Sequence, residues 1–191
     1  KVSGHYLARY LEDKGPGDII PYPENRETDY WMNTGDIFRV TEDGFYEIVD
    51  RVKDIYKNNK GQTVAPKTIE QKFTGVPGIK QTFLVGDPRP YNVLLIVPDF
   101  EDPLLQDAVN KGDKEEYFHQ IVMLANKDVA RYERVINFSI LDREFSADKG
   151  ELTPKGSFNR KAIENNFTDL IESLYKTNHV RLRHEDMIIV I

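Results

Sequence analysis

The sequence predicts an α+β fold, a small mixed sheet with flanking helices, preceded by a β-rich segment. Three observations carry that prediction. Two β-rich runs, Ile37–Val40 and Phe45–Val49, flank the four residues Thr41-Glu42-Asp43-Gly44, a loop whose closing Asp-Gly suits a turn at positive φ. The unbroken apolar run Val93–Val97 does not alternate, so it reads as a strand buried on both faces. After Arg51, stretches of helical periodicity are interleaved with further strand-like runs.

Element by element, residues 11–30 form a long turn-rich stretch with Gly15-Pro16-Gly17, Pro21 and Pro23 as breakers. The hairpin follows, and Asp50-Arg51 is the natural boundary between the β-rich part and the rest. Val64–Phe73 predicts a short helix beginning at Pro66, whose fixed φ suits a first helical position. Gln81–Val85 and Val93–Val97 predict two strands. Asp113–Val135 predicts one long helix, with Asp113 as its cap and Tyr117, Phe118, Ile121, Val122, Leu124, Ala125 and Val129 as its apolar stripe. Asn137–Leu141 returns as a strand. A last helix is expected over Arg160–Tyr175, with Ile163, Phe167, Leu170, Ile171 and Leu174 on one face.

Composition limits the function classes. The 191 residues suffice for one or two compact domains, and 39% hydrophobic with 30% charged residues is ordinary for a globular protein. A net charge of −6, with no Lys/Arg run longer than two, argues against a nucleic-acid partner. The absence of cysteine excludes disulfides, thiolate metal sites and a cysteine nucleophile, and fits a reducing compartment. Val93–Val97 is far too short to span a bilayer, and no signal-peptide pattern follows Lys1. The opening Lys-Val-Ser-Gly-His-Tyr and the apolar ending Met187–Ile191 read as the edges of a piece cut from a longer chain.

Three local signals carry chemistry. Thr34-Gly35-Asp36, taken alone, is a turn. Asp50-Arg51-Val52-Lys53-Asp54, taken alone, is a solvated run of alternating charges. Lys57 through Pro66, containing Lys60 and Gly61, is a polar loop feeding a helix. His5, His119, His179 and His184 lack the spacing of a metal site, and Glu115-Glu116 and Glu101-Asp102 read as solvated helix-start charges. Trp31 beside Tyr30 reads as packing.

Taken in order and at their spacing, Thr34-Gly35-Asp36, Asp43-Gly44, Asp50–Asp54, Lys57, Gly61, Ala65-Pro66 and Ile69-Glu70 closely resemble the domain-junction signature of the adenylate-forming enzymes. That superfamily includes acyl-CoA synthetases, luciferases and peptide-synthetase adenylation domains. Val85-Gly86-Asp87, Leu94–Asp99, Glu133-Arg134, Leu141–Ser146 and Glu151–Pro154 resemble its long-chain fatty-acid–CoA ligase branch, so the likeness covers residues from about 30 to 175.

The resemblance implies a domain plan: 1–51 as the β-rich end of a large amino-terminal domain, 52–175 as a mobile carboxyl-terminal lid, and 176–191 as an unassigned tail. Asp36 would accept hydrogen bonds from the ribose hydroxyls of ATP or AMP, and Arg51 would add positive charge beside the ribose and α-phosphate. Lys53 falls at the hinge, Gly61 in the loop that would approach the pantetheine arm of CoA, and Lys57 beside it. The family's adenylation lysine aligns with Ser157, which reads instead as a helix cap; Lys155, two residues away, is the candidate catalytic residue.

These expectations define an AMP-forming acid–thiol ligase acting through an acyl-adenylate, with ATP, CoA and Mg²⁺ bound mainly by the missing amino-terminal domain. This piece should be inactive alone. The partners are small molecules and that domain, with no transmembrane segment. Residence is cytoplasmic, with peripheral membrane contact left open by a fatty-acid substrate. A nucleotide- or acyl-CoA-binding protein that lost adenylation is the alternative from another class. A ligase for another carboxylate, or one delivering to an acyl carrier, is the alternative within the enzyme class.

Overall fold

A computed structural model describes residues 35–176 and two short strands, β1 (Arg9–Leu11) and β2 (Ile19–Pro21), paired antiparallel. Short strand thus interrupts the turn-rich stretch 11–30, and Pro21 closes β2 at an end position, where a missing N–H costs least. Of the unassigned tail 176–191, Lys176 is the last residue of a helix, and 177–191, with the strand-like Val180–Arg183 and Met187–Ile191, lies outside the described residues. So do His5, Tyr30, Trp31, Thr34, His179 and His184.

β3 (Asp36–Val40) and β4 (Tyr46–Arg51) form the expected hairpin, and Gly44 takes φ 84° in its turn. A smaller hairpin follows, β5 (Tyr56–Lys57) with β6 (Thr63–Val64), and leads into α1 (Pro66–Glu70), which starts at Pro66 as expected and tightens into a 3₁₀ turn over Gln71–Phe73.

The centre is a three-stranded mixed sheet of β7 (Ile79–Val85), β8 (Asn92–Pro98) and β9 (Val135–Ile140), with β8 in the middle. β7 runs antiparallel to β8, and β9 parallel to it. β8 is buried at every position because both faces are covered. Leu84, Leu94, Ile96 and Phe138 face one core with Ile69 of α1 and Phe118 and Val122 of α3 (Lys114–Ala125). Phe83, Val85, Val93, Leu95 and Val97 face a second core with Leu141, Phe145, Ile163, Ile171 and Leu174.

Three expectations are corrected. The helix foreseen over Asp113–Val135 ends at Ala125, and two 3₁₀ turns, Asn126–Asp128 and Arg131–Glu133, carry the chain into β9. The buried Asn126 side chain enforces the stop by accepting from the Val135 N–H (2.9 Å) and donating to the Val135 carbonyl (2.8 Å), which pulls the chain back to the sheet edge. Asp113 occupies the cap position of α3 but makes no side-chain cap bond. A nine-residue helix, α2 (Pro103–Lys111), precedes it, capped by Asp102, whose carboxylate accepts from the Leu104 and Leu105 N–H groups.

The last helix is two, α4 (Arg160–Asn166) and α5 (Thr168–Lys176), broken at Phe167. There the Thr168 hydroxyl donates to the Glu164 and Asn165 carbonyls, both at 2.9 Å, closing the first segment.

Candidate functional site

Residues 50–55 join the β3–β4 hairpin to the sheet domain. Asp36 and Arg51 are register partners at the open end of that hairpin, with Arg51 Nε 3.6 Å from Asp36 Oδ1. Gly35, at φ 74°, accepts from the Val52 N–H (2.8 Å), so the turn before β3 is tied to the connector. The connector itself turns tightly: the Asp54 N–H (3.0 Å) and Ile55 N–H (3.2 Å) both donate to the Arg51 carbonyl.

Asp50, one residue earlier, is 2% exposed. Its Oδ1 accepts from the Arg51 N–H (2.8 Å) and its Oδ2 from the Lys67 N–H (2.9 Å). The alternating-charge reading of this run fails at Asp50, because its partner lies in the first turn of α1.

Across from the connector is the loop between Glu151 and α4. The Thr153 N–H donates to the Ser157 carbonyl (2.8 Å), the Ser157 N–H to Thr153 Oγ1 (3.2 Å) and the Gly156 N–H to the Thr153 carbonyl (2.8 Å). Gly156 at φ 76° makes this tight reversal possible. Lys155 stands exposed at its tip. Ser157 does not cap α4, which begins at Arg160 with Asn159 in the cap position; Ser157 is one leg of the reversal instead.

Arg51, Lys53, Lys155 and Ser157 thus line one open cleft of about 710 Å³. Asp36 reaches its edge through Arg51. Lys57 and Gly61 do not line it; they lie on the β5–β6 hairpin, where Asn58 clamps the turn by accepting from the Lys60 and Gln62 N–H groups, both at 3.0 Å. Gly61 has φ 76° and open space around it, so a backbone requirement explains the glycine.

The cleft wall also holds the ion pair of Glu70 and Arg160. Glu70 accepts from Arg160 (2.9 Å) and from the Leu84 N–H (2.8 Å). The same guanidinium donates to the Leu84 carbonyl and lies 4.3 Å from the Phe83 ring centroid. Burial pushes the Glu70 carboxyl above its ordinary range, and the Arg160 charge opposes that. A second cavity of about 300 Å³ shares Lys53 and Arg160 and adds Glu164, whose carboxyl is also raised by burial.

The base of the Lys155 loop is fixed by an ion pair whose carboxylate is buried and whose guanidinium is half-buried. Glu151, with a fully buried side chain, accepts from Arg143 at 2.6 and 2.8 Å, from the Ser146 N–H at 2.9 Å and from Asn166 at 3.0 Å. The Arg143 guanidinium, helped by these other donors, holds the carboxyl down at about 2.

The arrangement offers a carboxylate and a guanidinium paired at the hairpin end, and a lysine exposed on a loop that lines the same cleft as the guanidinium, groups that suit a ribose diol and a phosphate. Among the described residues, no group of three His, Cys, Asp or Glu could hold a metal ion. No helix among them is long and apolar enough to cross a membrane.

Residues 53–179 match the AMP-binding enzyme C-terminal domain family, and the chain belongs to it. Among curated proteins it is 34% identical over 161 residues to the long-chain-fatty-acid–CoA ligase FadD15 of Mycobacterium tuberculosis, covering 78% of this chain and 27% of that one. It is 29% identical over 168 residues to long-chain-fatty-acid–CoA ligase 1 of Homo sapiens, covering 81% and 24%. The chain therefore spans about a quarter of the length of these relatives. Among solved structures, it resembles the adenylation domain of a carboxylate reductase from Mycobacterium chelonae with TM-score 0.65 and 25% identity over 75% of this chain and 23% of that one. The small sheet with flanking helices is the fold of this family.

Proposed function

We propose that this chain is the lid portion of an AMP-forming fatty-acid–CoA ligase, with long-chain acids as its substrates. The observation that carries the reading is the cleft itself, which sets Arg51 and the hinge candidate Lys53 opposite the Lys155 loop. The kinship with long-chain ligases supplies the reaction class.

In this reading residues 1–51 end the large domain and 52–175 form the lid. Asp36 binds the ribose hydroxyls and Arg51 neutralises charge near the α-phosphate. Lys155 donates to the oxygens on which charge develops as carboxylate attacks that phosphate and pyrophosphate leaves. Rotation about Lys53 then brings Lys57 and the Gly61 turn to the site, where CoA thiolate displaces AMP. Mg²⁺, whose chemistry is to offset the triphosphate charge, is assigned to ligands outside the described residues.

The hairpin gives further support for a larger parent. Phe38, Val40, Tyr46 and Ile48 are all exposed on a two-stranded hairpin, an apolar surface of the kind that partner domains cover. Cytoplasmic residence near a membrane surface, where fatty acids partition, suits such an enzyme.

The test is acyl-CoA formation from a long-chain fatty acid, ATP and CoA, run on the full-length protein and on residues 1–191 alone. The full-length protein should form product and the shorter chain none. Product from the shorter chain, or none from a folded full-length protein with any fatty acid, would overturn the proposal.

A further inference from the structure

We infer that Asp50 is a positioning residue, a latch that holds the lid in the pose where the Lys155 loop faces Arg51. The inference rests on the lid reading above and assigns a role to a residue outside its proposed ligand contacts.

α1 lacks a local cap. Its cap position is Ala65, which offers no side-chain acceptor, and no acidic residue lies in its first turn. Pro66 has no N–H, so the Lys67 N–H is the first donor of the helix that lacks an intrahelical partner. Asp50 supplies that acceptor from 17 residues away, at 2.9 Å, with its carboxylate 2% exposed. The bond is charge-assisted and shielded from water, the two conditions that make a single hydrogen bond worth most.

Its position matters more than its strength. Asp50 is the fifth residue of β4 and belongs to the hairpin, held there by pairing with Ile37. Lys67 belongs to the lid. Lys53, the candidate pivot, lies between them, so rotation about it carries α1 off Asp50 and breaks the bond. A contact that exists in one pose alone biases the equilibrium toward that pose by its full differential free energy. In the pose described here the cleft contains Asp50, Arg51 and Lys155 but not Lys57 or Gly61. The latch therefore favours adenylation over thioester formation, and release of the carboxylate from α1 accompanies the switch.

Two measurements test this on Asp50→Ala and the nearly isosteric Asp50→Asn. In the full-length protein, ATP–pyrophosphate exchange reads the first half-reaction, and thioester formation from synthetic acyl-adenylate and CoA reads the second. Loss of one charge-assisted bond should lower exchange roughly tenfold in Asp50→Ala and leave the second step unchanged or faster, with Asp50→Asn between. Equal losses in both steps would reduce Asp50 to a folding residue and overturn the proposal.

The second measurement needs no activity. The 191-residue sequence lacks cysteine, so Asp43→Cys in the hairpin turn and Lys127→Cys beyond α3 accept spin labels specifically. A single narrow interlabel distance should broaden or split in Asp50→Ala. Identical distributions would sink the latch whatever the kinetics. A broadened distribution in a protein whose wild type shows neither half-reaction would keep the latch and remove the ligase reading.

Discussion

Replacing Glu151 by Gln tests the ion pair that fixes the Lys155 loop. Glu151 is fully buried, and both carboxylate oxygens are bound, to Arg143 at 2.6 and 2.8 Å and to the Ser146 N–H and Asn166. Its carboxyl is lowered from 4.5 to about 2, chiefly by the Arg143 bond, and that difference corresponds to roughly 3 kcal/mol of folding stability. Gln keeps the volume but removes the charge and one acceptor. The expected loss is therefore about 3 kcal/mol near neutral pH, or a fall of roughly 6–12 °C in melting temperature for a chain of this size.

The pH dependence has a fixed sign. Because the folded value is depressed, the contribution is complete above the unfolded value near 4.5 and vanishes as pH falls through about 2, with more than half gone at about pH 3. Denaturant unfolding of both proteins from pH 7 to about pH 3 measures the gap directly. A gap under about 1 kcal/mol at neutrality, or one that does not narrow in acid, would mean that the Arg143–Glu151 pair does not stabilise the fold in this way.

Two further outcomes follow from local geometry. Gly86→Ala should destabilise by at least about 3 kcal/mol or prevent folding, since a Cβ there would lie 2.2 Å from the Tyr56 hydroxyl and 2.3 Å from Asn92 Oδ1, both held in a buried 2.6 Å hydrogen bond; thermal melts check this. If the full-length protein is the proposed ligase, Asp36→Asn should raise the KM for ATP about tenfold with little change in KM for the fatty acid, the loss expected for one charge-assisted hydrogen bond, as steady-state kinetics would show.

Much of the fold was legible because its signals are local. The Asp43-Gly44 turn, Pro66 at the start of α1 and the non-alternating Val93–Val97 run each have one physical reading, and all three stand. The errors arose where a distant partner decides. Periodicity carried α3 past Ala125, because nothing in the pattern reveals that Asn126 binds both backbone groups of Val135. The helix-start reading of Glu101-Asp102 holds, with Asp102 a cap rather than a solvated charge, but the extent of α2 is not legible because only Leu105 and Ala108 of its nine residues are buried, too few to make a stripe.

The site divides the same way. The spacing of Asp36, Arg51 and Lys53 was readable along the chain, and the structure brings Arg51 and Lys53 to one cleft with Lys155 and Ser157. Asp50 was not readable, since its burial depends on Lys67 in the next element. Ser157 looked like a cap because it stands shortly before α4, yet the reversal from Thr153 to Ser157 uses its backbone instead.

On the proposed reading, this chain serves adenylation through the Lys155 loop. ATP–pyrophosphate exchange by the full-length protein over a panel of carboxylic acids, beside its Lys155→Ala variant, tests it most directly. Exchange should be strongest with long-chain acids and fall roughly a hundredfold in the variant. No exchange with any acid from a folded protein would contradict the claim and favour a nucleotide- or acyl-CoA-binding role, while exchange that survives the substitution would remove Lys155 from the chemistry.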